Sequence, residues 1–476
     1  MLAVAALVAK FLGFASKMLL TRVLLDRDIG LMVMILALAG LFEVLTEVGI
    51  KQSVIQHKDG AEPEYLNMAW WFQSCRGFGL YLAGYLLAPF VCSFYFKDKP
   101  DIISGYAMAD LVTMVRVAFL TIALNGLISP RAHVLEREFR FGKAAIIIQG
   151  GFILGTIVTI VLALIMRNVW AIAIGTASTS LFRCLLSYML CPFIPRLQFH
   201  RESLRGLCRF ARGMIGLPLL TYIAFNVDVL VAGKLALASL VGYYGMARVL
   251  AMTPRDLFAR IISPVVFPAF AEKQNDKVAL RTAVLKLTQS IAIILLPAVA
   301  LGLVCGEIIL AFVYGSEYGT VWLAFGALCI SVTFLIQGGI IGSVFFGIGQ
   351  PEKHRAFVAS RALVLLVLIY PATKLYDVSG AAVAVLAACS VALCMQVIMA
   401  RRTIGLRLRD YLTVWLPGLF VAIPVGLIGW GYRAVRSQWG PAYLVLGTIV
   451  SLALIAGVFV WSSRSDREPL GMNAAG

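Results

Sequence analysis

The residues able to do chemistry in this sequence are ionisable side chains set inside long apolar runs. Lys10 and Lys17 stand seven residues apart in the first run, on one helical face with Gly13 and close to Thr21. Arg76 lies about ten residues into the third run, flanked by Gly77 and Gly79. Arg116 lies near the middle of the fourth run, and Arg248 about eight residues into the eighth. Acids at comparable depth are Glu43 and Glu47 on one face of the second run, Asp110 in the fourth and Asp228 in the seventh. A charge at the bilayer centre costs at least ~2.5–3.5 kcal/mol unless it faces a cavity or a partner. Guanidinium groups grip phosphate oxygens in bidentate fashion, and at depth the cations outnumber the acids. Plainer readings stand beside this one. Lys17, Glu43 and Glu47 could bridge the first two helices, and Asp228 could pair with a cation to hold its helix. Arg183 and Arg361, near helix ends, are expected to snorkel.

The elements that must position these groups are membrane-spanning helices. Of 476 residues, 61% are hydrophobic and 14% charged, against about 25% charged in soluble domains. Apolar windows predict spans near 2–24, 28–50, 66–95, 104–130, 143–166, 168–192 and 213–235. A second set is expected near 240–268, 282–304, 318–346, 356–374, 378–400, 411–433 and 441–461. The first run lacks a basic leader and stays apolar into Met18-Leu19-Leu20, so it reads as a span rather than a signal peptide. The fold class is therefore an all-α integral membrane protein of about fourteen transmembrane helices. Nine cysteines fall mostly inside the apolar runs and four histidines lack ligand spacing. No disulfide, metal or cofactor is expected.

Lysine and arginine count 41 against 24 acids, a net charge of +17. Loop placement explains this excess without nucleic acid. Loops after even-numbered spans carry 24 basic residues and loops after odd-numbered spans carry 9. The even loops are thus expected in the cytoplasm, together with both termini. One such loop spaces Arg201, Arg205, Arg209 and Arg212 along one helical face, opposite Leu204, Leu207, Cys208 and Ala211. It reads as an amphipathic helix on the inner leaflet, or else as a solvated linker.

Sliding the chain against itself by 212 residues aligns spans 1–6 with spans 7–12. Gly30 falls on Gly242, Met34 on Met246, Leu38 on Leu250, Asn125-Gly126 on Gln337-Gly338, and Lys143-Ala144 on Arg355-Ala356. A parallel duplication predicts two pseudosymmetric six-helix lobes about an axis along the membrane normal. Residues 1–196 would form the N-lobe, 197–403 the C-lobe, and 404–476 two extra helices and a tail.

Several segments carry a family resemblance. They are Thr21-Arg22-Val23-Leu24-Leu25-Asp26-Arg27-Asp28-Ile29-Gly30, then Asn125-Gly126-Leu127-Ile128-Ser129-Pro130 with Leu135-Glu136-Arg137-Glu138-Phe139-Arg140-Phe141. Phe225-Asn226-Val227-Asp228, Leu240-Val241-Gly242-Tyr243-Tyr244 and Phe267-Pro268-Ala269-Phe270 complete the set. Together they resemble the polysaccharide-exporter branch of the multidrug/oligosaccharidyl-lipid/polysaccharide flippases, close to the Wzx-type lipid-linked oligosaccharide flippases. The likeness covers nearly the whole chain, although each motif alone is loose. In one departure, Met1 abuts the first span where relatives usually have a short polar lead, so the natural start is expected upstream.

That resemblance implies translocation of an undecaprenyl-pyrophosphate-linked oligosaccharide across a bacterial inner membrane, without covalent chemistry. It also implies a monomer among membrane lipids, with a polysaccharide polymerase and co-polymerase as possible partners. Substrate contacts are then expected from Arg76, Arg116, Arg248, Lys10 and Lys17 to pyrophosphate, and from Asn226, Gln149 and Gln289 to sugar, with Asp228 nearby. A multidrug or cation antiporter of the multidrug-and-toxin-extrusion type is the alternative, but it calls for an acid-dominated cavity. A major-facilitator permease would need a basic Gly- and Asp-containing loop in place of 51–65, and a membrane enzyme would need a larger extramembrane domain. A non-catalytic scaffold would gain nothing from its deep cations.

Overall fold

The computed structural model describes residues 2–45, 49–138, 140–196, 200–214 and 216–431. Among these there is helix and turn and no strand, as a multi-pass membrane chain requires: in lipid a helix satisfies its own backbone. The long helices follow the apolar runs. They are α1 (Leu2–Val23), α2 (Asp26–Leu45), α3 (Pro63–Phe96), α4 (Met108–Gly126), α5 (Phe141–Met166) and α6 (Trp170–Leu190). After the loop come α7 (Arg201–Met214), α8 (Leu217–Leu235), α9 (Ala238–Leu257), α10 (Ser263–Glu272) and α11 (Lys277–Val304). The series ends with α12 (Trp322–Gly347), α13 (Pro351–Ile404) and α14 (Leu408–Gly431). Nine segments among the described residues are long and apolar enough to cross a bilayer. The span expected near 441–461 lies outside the described residues.

The chain forms two compact units that divide between Met246 and Ala247, inside α9. In unit 1 the helices meet through small residues, the usual contact where water provides no drive for association. A Cβ on Gly155 of α5 would sit 2.0 Å from the Thr179 hydroxyl of α6, and one on Gly175 of α6 would sit 1.9 Å from that of Thr159. Gly151-x-x-x-Gly155 is therefore an internal packing seam. Between α3 and α4, Gly77 and Gly126 face each other in the same way.

One contact in unit 1 is reciprocal. A Cβ on Gly30 would strike the Ala238 carbonyl at 1.6 Å, and one on Gly242 would strike the Asp26 carbonyl at 2.9 Å. Residues 26 and 238, and 30 and 242, are each 212 apart. The N-terminal turns of α2 and α9 thus touch with the swapped pairing of an isologous contact.

In unit 2 a cluster of buried apolar residues from α11, α12, α13 and α14 forms the core, with Val284, Ile340, Phe345, Val397 and Tyr411 among its members. The α13 segment is two helices. Asp377 has φ 50° and ψ −140°, and the Gly380 Cβ position lies 1.9 Å from the Ala372 carbonyl, so the chain folds back there. The two spans expected at 356–374 and 378–400 meet at this reversal.

The basic segment 201–214 is helical, as its spacing predicts, but its apolar face is not simply laid on lipid. Leu207 is buried with Ile50, Val54, Tyr65 and Leu66, and Leu204 packs beside them. Protein covers the stripe assigned to the inner leaflet, because the N-terminus of α3 and the short helix Ile50–Gln56 offer apolar surface at the same level.

Candidate functional site

The deep polar groups of unit 1 gather where α2, α3, α4 and α6 approach. The last carbonyls of a helix have no partner within it, and α3 supplies two for α4. Gln73 donates to the Asn125 carbonyl at 2.8 Å and Ser74 to the Gly126 carbonyl at 3.1 Å. The Asn125 side chain donates to Glu43 Oε1 at 3.1 Å. Arg183 of α6 lies within electrostatic reach of Glu43. It is half-buried and faces an acid, so its expected snorkelling is corrected: a guanidinium stays inside when a carboxylate meets it there. Glu47 lies outside the described residues. Arg76 follows this network on α3 and is half-buried.

The other sequence-derived candidates of unit 1 are spread over separate helices. Lys10 and Lys17 are half-buried on α1, on the face whose Gly13 abuts Phe152 of α5. Arg116 Nε donates to the Tyr85 carbonyl at 3.3 Å, and its guanidinium lies 3.9 Å from the Tyr85 ring centroid. That geometry is a cation–π contact between α4 and α3. Asn226 Nδ2 donates to the Tyr222 carbonyl one turn back at 3.4 Å. Asp228 is 2% exposed and accepts a 2.6 Å hydrogen bond from the Tyr244 hydroxyl, tying α8 to α9.

In unit 2, Arg248 and Arg255 stand seven apart on α9, and Arg255 lies within electrostatic reach of Arg248, Arg361 of α13 and Asp256. Arg361 is 2% exposed, among the largest fully buried side chains. Its expected snorkelling is also corrected: α13 turns this side chain inward toward α9. Arg255 went unnamed, and Arg361 was read as a residue near a helix end. The seven-residue spacing from Arg248 was the available signal for Arg255.

The N-terminal turns of α2 and α9 form a second polar cluster with the loop after α3. Tyr243 donates to Asp26 at 2.8 Å, and Tyr106 to Asp28 at 3.0 Å. Arg27 approaches both Asp28, at 3.8 Å, and the Tyr106 ring. The Ala238 amide donates to Asp101 at 2.8 Å, and Lys234 reaches Asp98 at 3.4 Å and the Phe94 carbonyl. Lys99, a loop residue in sequence, is only 5% exposed and donates to the Ala236 carbonyl. Burial pushes its ammonium down to about 8, and Asp101 opposes that shift.

Residues 19–322 match the family described as polysaccharide biosynthesis protein. The chain belongs to that family. The lipopolysaccharide biosynthesis protein WzxC of Escherichia coli K12 is 24% identical over 94% of this chain and 85% of its own length. A solved structure of the lipid II flippase MurJ, in an inward closed conformation, superposes with a TM-score of 0.79 at 14% identity, covering 98% of this chain and 99% of that one. An inward-facing transporter of the multidrug resistance MATE family superposes at 0.60 with 17% identity, over 83% of this chain and 94% of that one. At such identities the structural likenesses establish the fold. This polysaccharide biosynthesis family member has its deep basic side chains in both units of that fold.

Proposed function

We propose that this protein flips an undecaprenyl-pyrophosphate-linked oligosaccharide repeat unit from the inner to the outer leaflet of a bacterial inner membrane, for export as surface polysaccharide. The carrying observation is the arginine group of Arg248, Arg255 and Arg361 in unit 2. Asp256 sets one acid beside three arginines, and a pyrophosphate would bring further charge and lone pairs for several bidentate contacts. In unit 1, Arg76, Arg116, Lys10 and Lys17 would serve pyrophosphate, and Asn226 would meet sugar. The polyprenyl tail stays in lipid. The names of the relatives support this substrate class. The cationic balance at depth argues against the multidrug antiporter alternative, whose substrates are themselves cations.

In this reading both termini are cytoplasmic, and the α2–α9 contact closes the periplasmic side. Transport then requires that contact to part, as pseudosymmetric halves exchange inward- and outward-open states. A polymerase that consumes the flipped unit would draw the exchange forward.

Single Ala variants at Arg76, Arg116 and Arg248 test the assignment. Each lost charge-assisted contact is worth about 1.5–3 kcal/mol, so export of surface polysaccharide should fall at least tenfold at unchanged protein level. Lys variants should keep part of it, because a point charge replaces a planar fork. Normal export from all three Ala variants would overturn the assignment.

A further inference from the structure

Away from the deep arginines, unit 2 has a cavity of about 380 Å³ where several helix ends meet. Its polar wall consists of Gln274, Lys277, Gln350, Lys353, Arg402 and Thr403. These come from the α10–α11 turn, the start of α11, the α12–α13 turn, and the first and last turns of α13. Its volume lies within the ~300–1,000 Å³ range of small-molecule sites. The wall carries three cations and no acid.

We propose that this cavity is a binding pocket for a phosphate group.

Among the described residues, Lys277, Lys353 and Arg402 form no ion pair. The nearest acid in sequence to Lys277 is already committed. Asp276 caps α11, accepting from the Val278 and Ala279 amides at 2.9 Å each. Lys353 is fixed in the wall by donating to the Thr403 hydroxyl at 2.5 Å. Gln350 immediately precedes α13, makes no side-chain cap, and has a buried Oε1 without a hydrogen-bond partner. A half-turn of that amide exchanges oxygen for NH2 and presents a donor instead. The uncapped first turn of α13 adds the positive end of a helix dipole. Leu280, Ile348 and Ile404 supply apolar wall beside the cations. That combination suits a phosphate ester with a hydrocarbon neighbour. The loop charges assign this end of the unit to the cytoplasmic face, where headgroup phosphates reside. A phospholipid headgroup and free phosphate present the same group, and the experiment separates them.

The test uses the full chain purified in detergent without added phospholipid. Binding of dihexanoyl phosphatidylglycerol, dihexanoylglycerol and inorganic phosphate is followed by calorimetry at matched ionic strength. Phosphatidylglycerol should bind, and a Lys277→Gln/Arg402→Gln double variant should weaken that binding at least tenfold. An Arg401→Gln/Arg407→Gln variant, which removes equal charge beside the cavity, should bind as the unaltered protein does. Inorganic phosphate that binds and competes marks a soluble occupant, whereas phosphatidylglycerol alone marks a lipid headgroup. Either result supports the pocket. Gln350→Leu offers a second route should the double variant fold poorly, and it should weaken binding severalfold. Equal binding of dihexanoylglycerol, an unaffected double variant with an unaffected Gln350→Leu, or an equal loss in the Arg401/Arg407 control would overturn the proposal.

Discussion

Lys99 shows how burial changes what a single charge can do. It binds its proton less tightly when buried, at about 8, than a hydrated lysine near ~10.4 does. Between those values the buried state holds fewer protons, so raising the pH favours it, and below about 8 the preference stops changing. Spin labels on the α1–α2 and α8–α9 turns should therefore show the short-distance population growing from pH 8 to pH 10. Lys99→Met should abolish that pH dependence; a slope unchanged in the variant would rule Lys99 out as its source. Asp228 illustrates the opposite outcome. Its partner is the Tyr244 phenol, so the reading of a residue that holds α8 in place has a visible contact behind it. Tyr244→Phe should then lower thermal stability by about 1–3 kcal/mol, the cost of a buried carboxylate losing a donor.

At the scale of elements, glycine decides how closely two helices approach. The Gly30 Cβ position lies 1.6 Å from a carbonyl, against 2.9 Å for Gly242. The contacts are backbone in both cases and cannot swing aside. Gly30→Ala should therefore open the α2–α9 contact more than Gly242→Ala does, as read by the same spin-label distance. The reverse order would argue against backbone contact as the determinant. The α5–α6 seam follows the same logic, since hydroxyls of Thr159 and Thr179 fill the space that glycine leaves. Helix α7 is the contrasting case. Its arginine spacing announced a helix, but which surface would cover Leu207 depended on where α3 begins.

For the whole molecule, the asymmetry of 24 against 9 basic loop residues predicts orientation. Reporter fusions after Lys273 and Arg401 should signal cytoplasm, and a fusion after Gly315 periplasm. Swapped signals at any of these points would sink that topology. Alternation between the two sides can be tested by a cysteine pair at Leu25 and Leu240, on the two facing turns, in a background without native cysteines. Oxidation should stop export and reduction should restore it. Export that continues through a complete crosslink would favour a fixed groove over moving halves.

The sequence by itself determined the all-α membrane class and where most of the long helices among the described residues lie, because lipid accepts only long apolar runs whose backbones are satisfied within themselves. It also identified which helices carry ionisable groups at depth. Only the tertiary structure decided which way those groups turn. Arg361 was expected at a bilayer edge and is buried toward Arg255, and Arg183 turns to Glu43. Lys99 counted as a loop charge until the α8–α9 turn covered it. Hydropathy is a property of each segment alone, whereas the partner of a buried charge is set by which helix lies across from it.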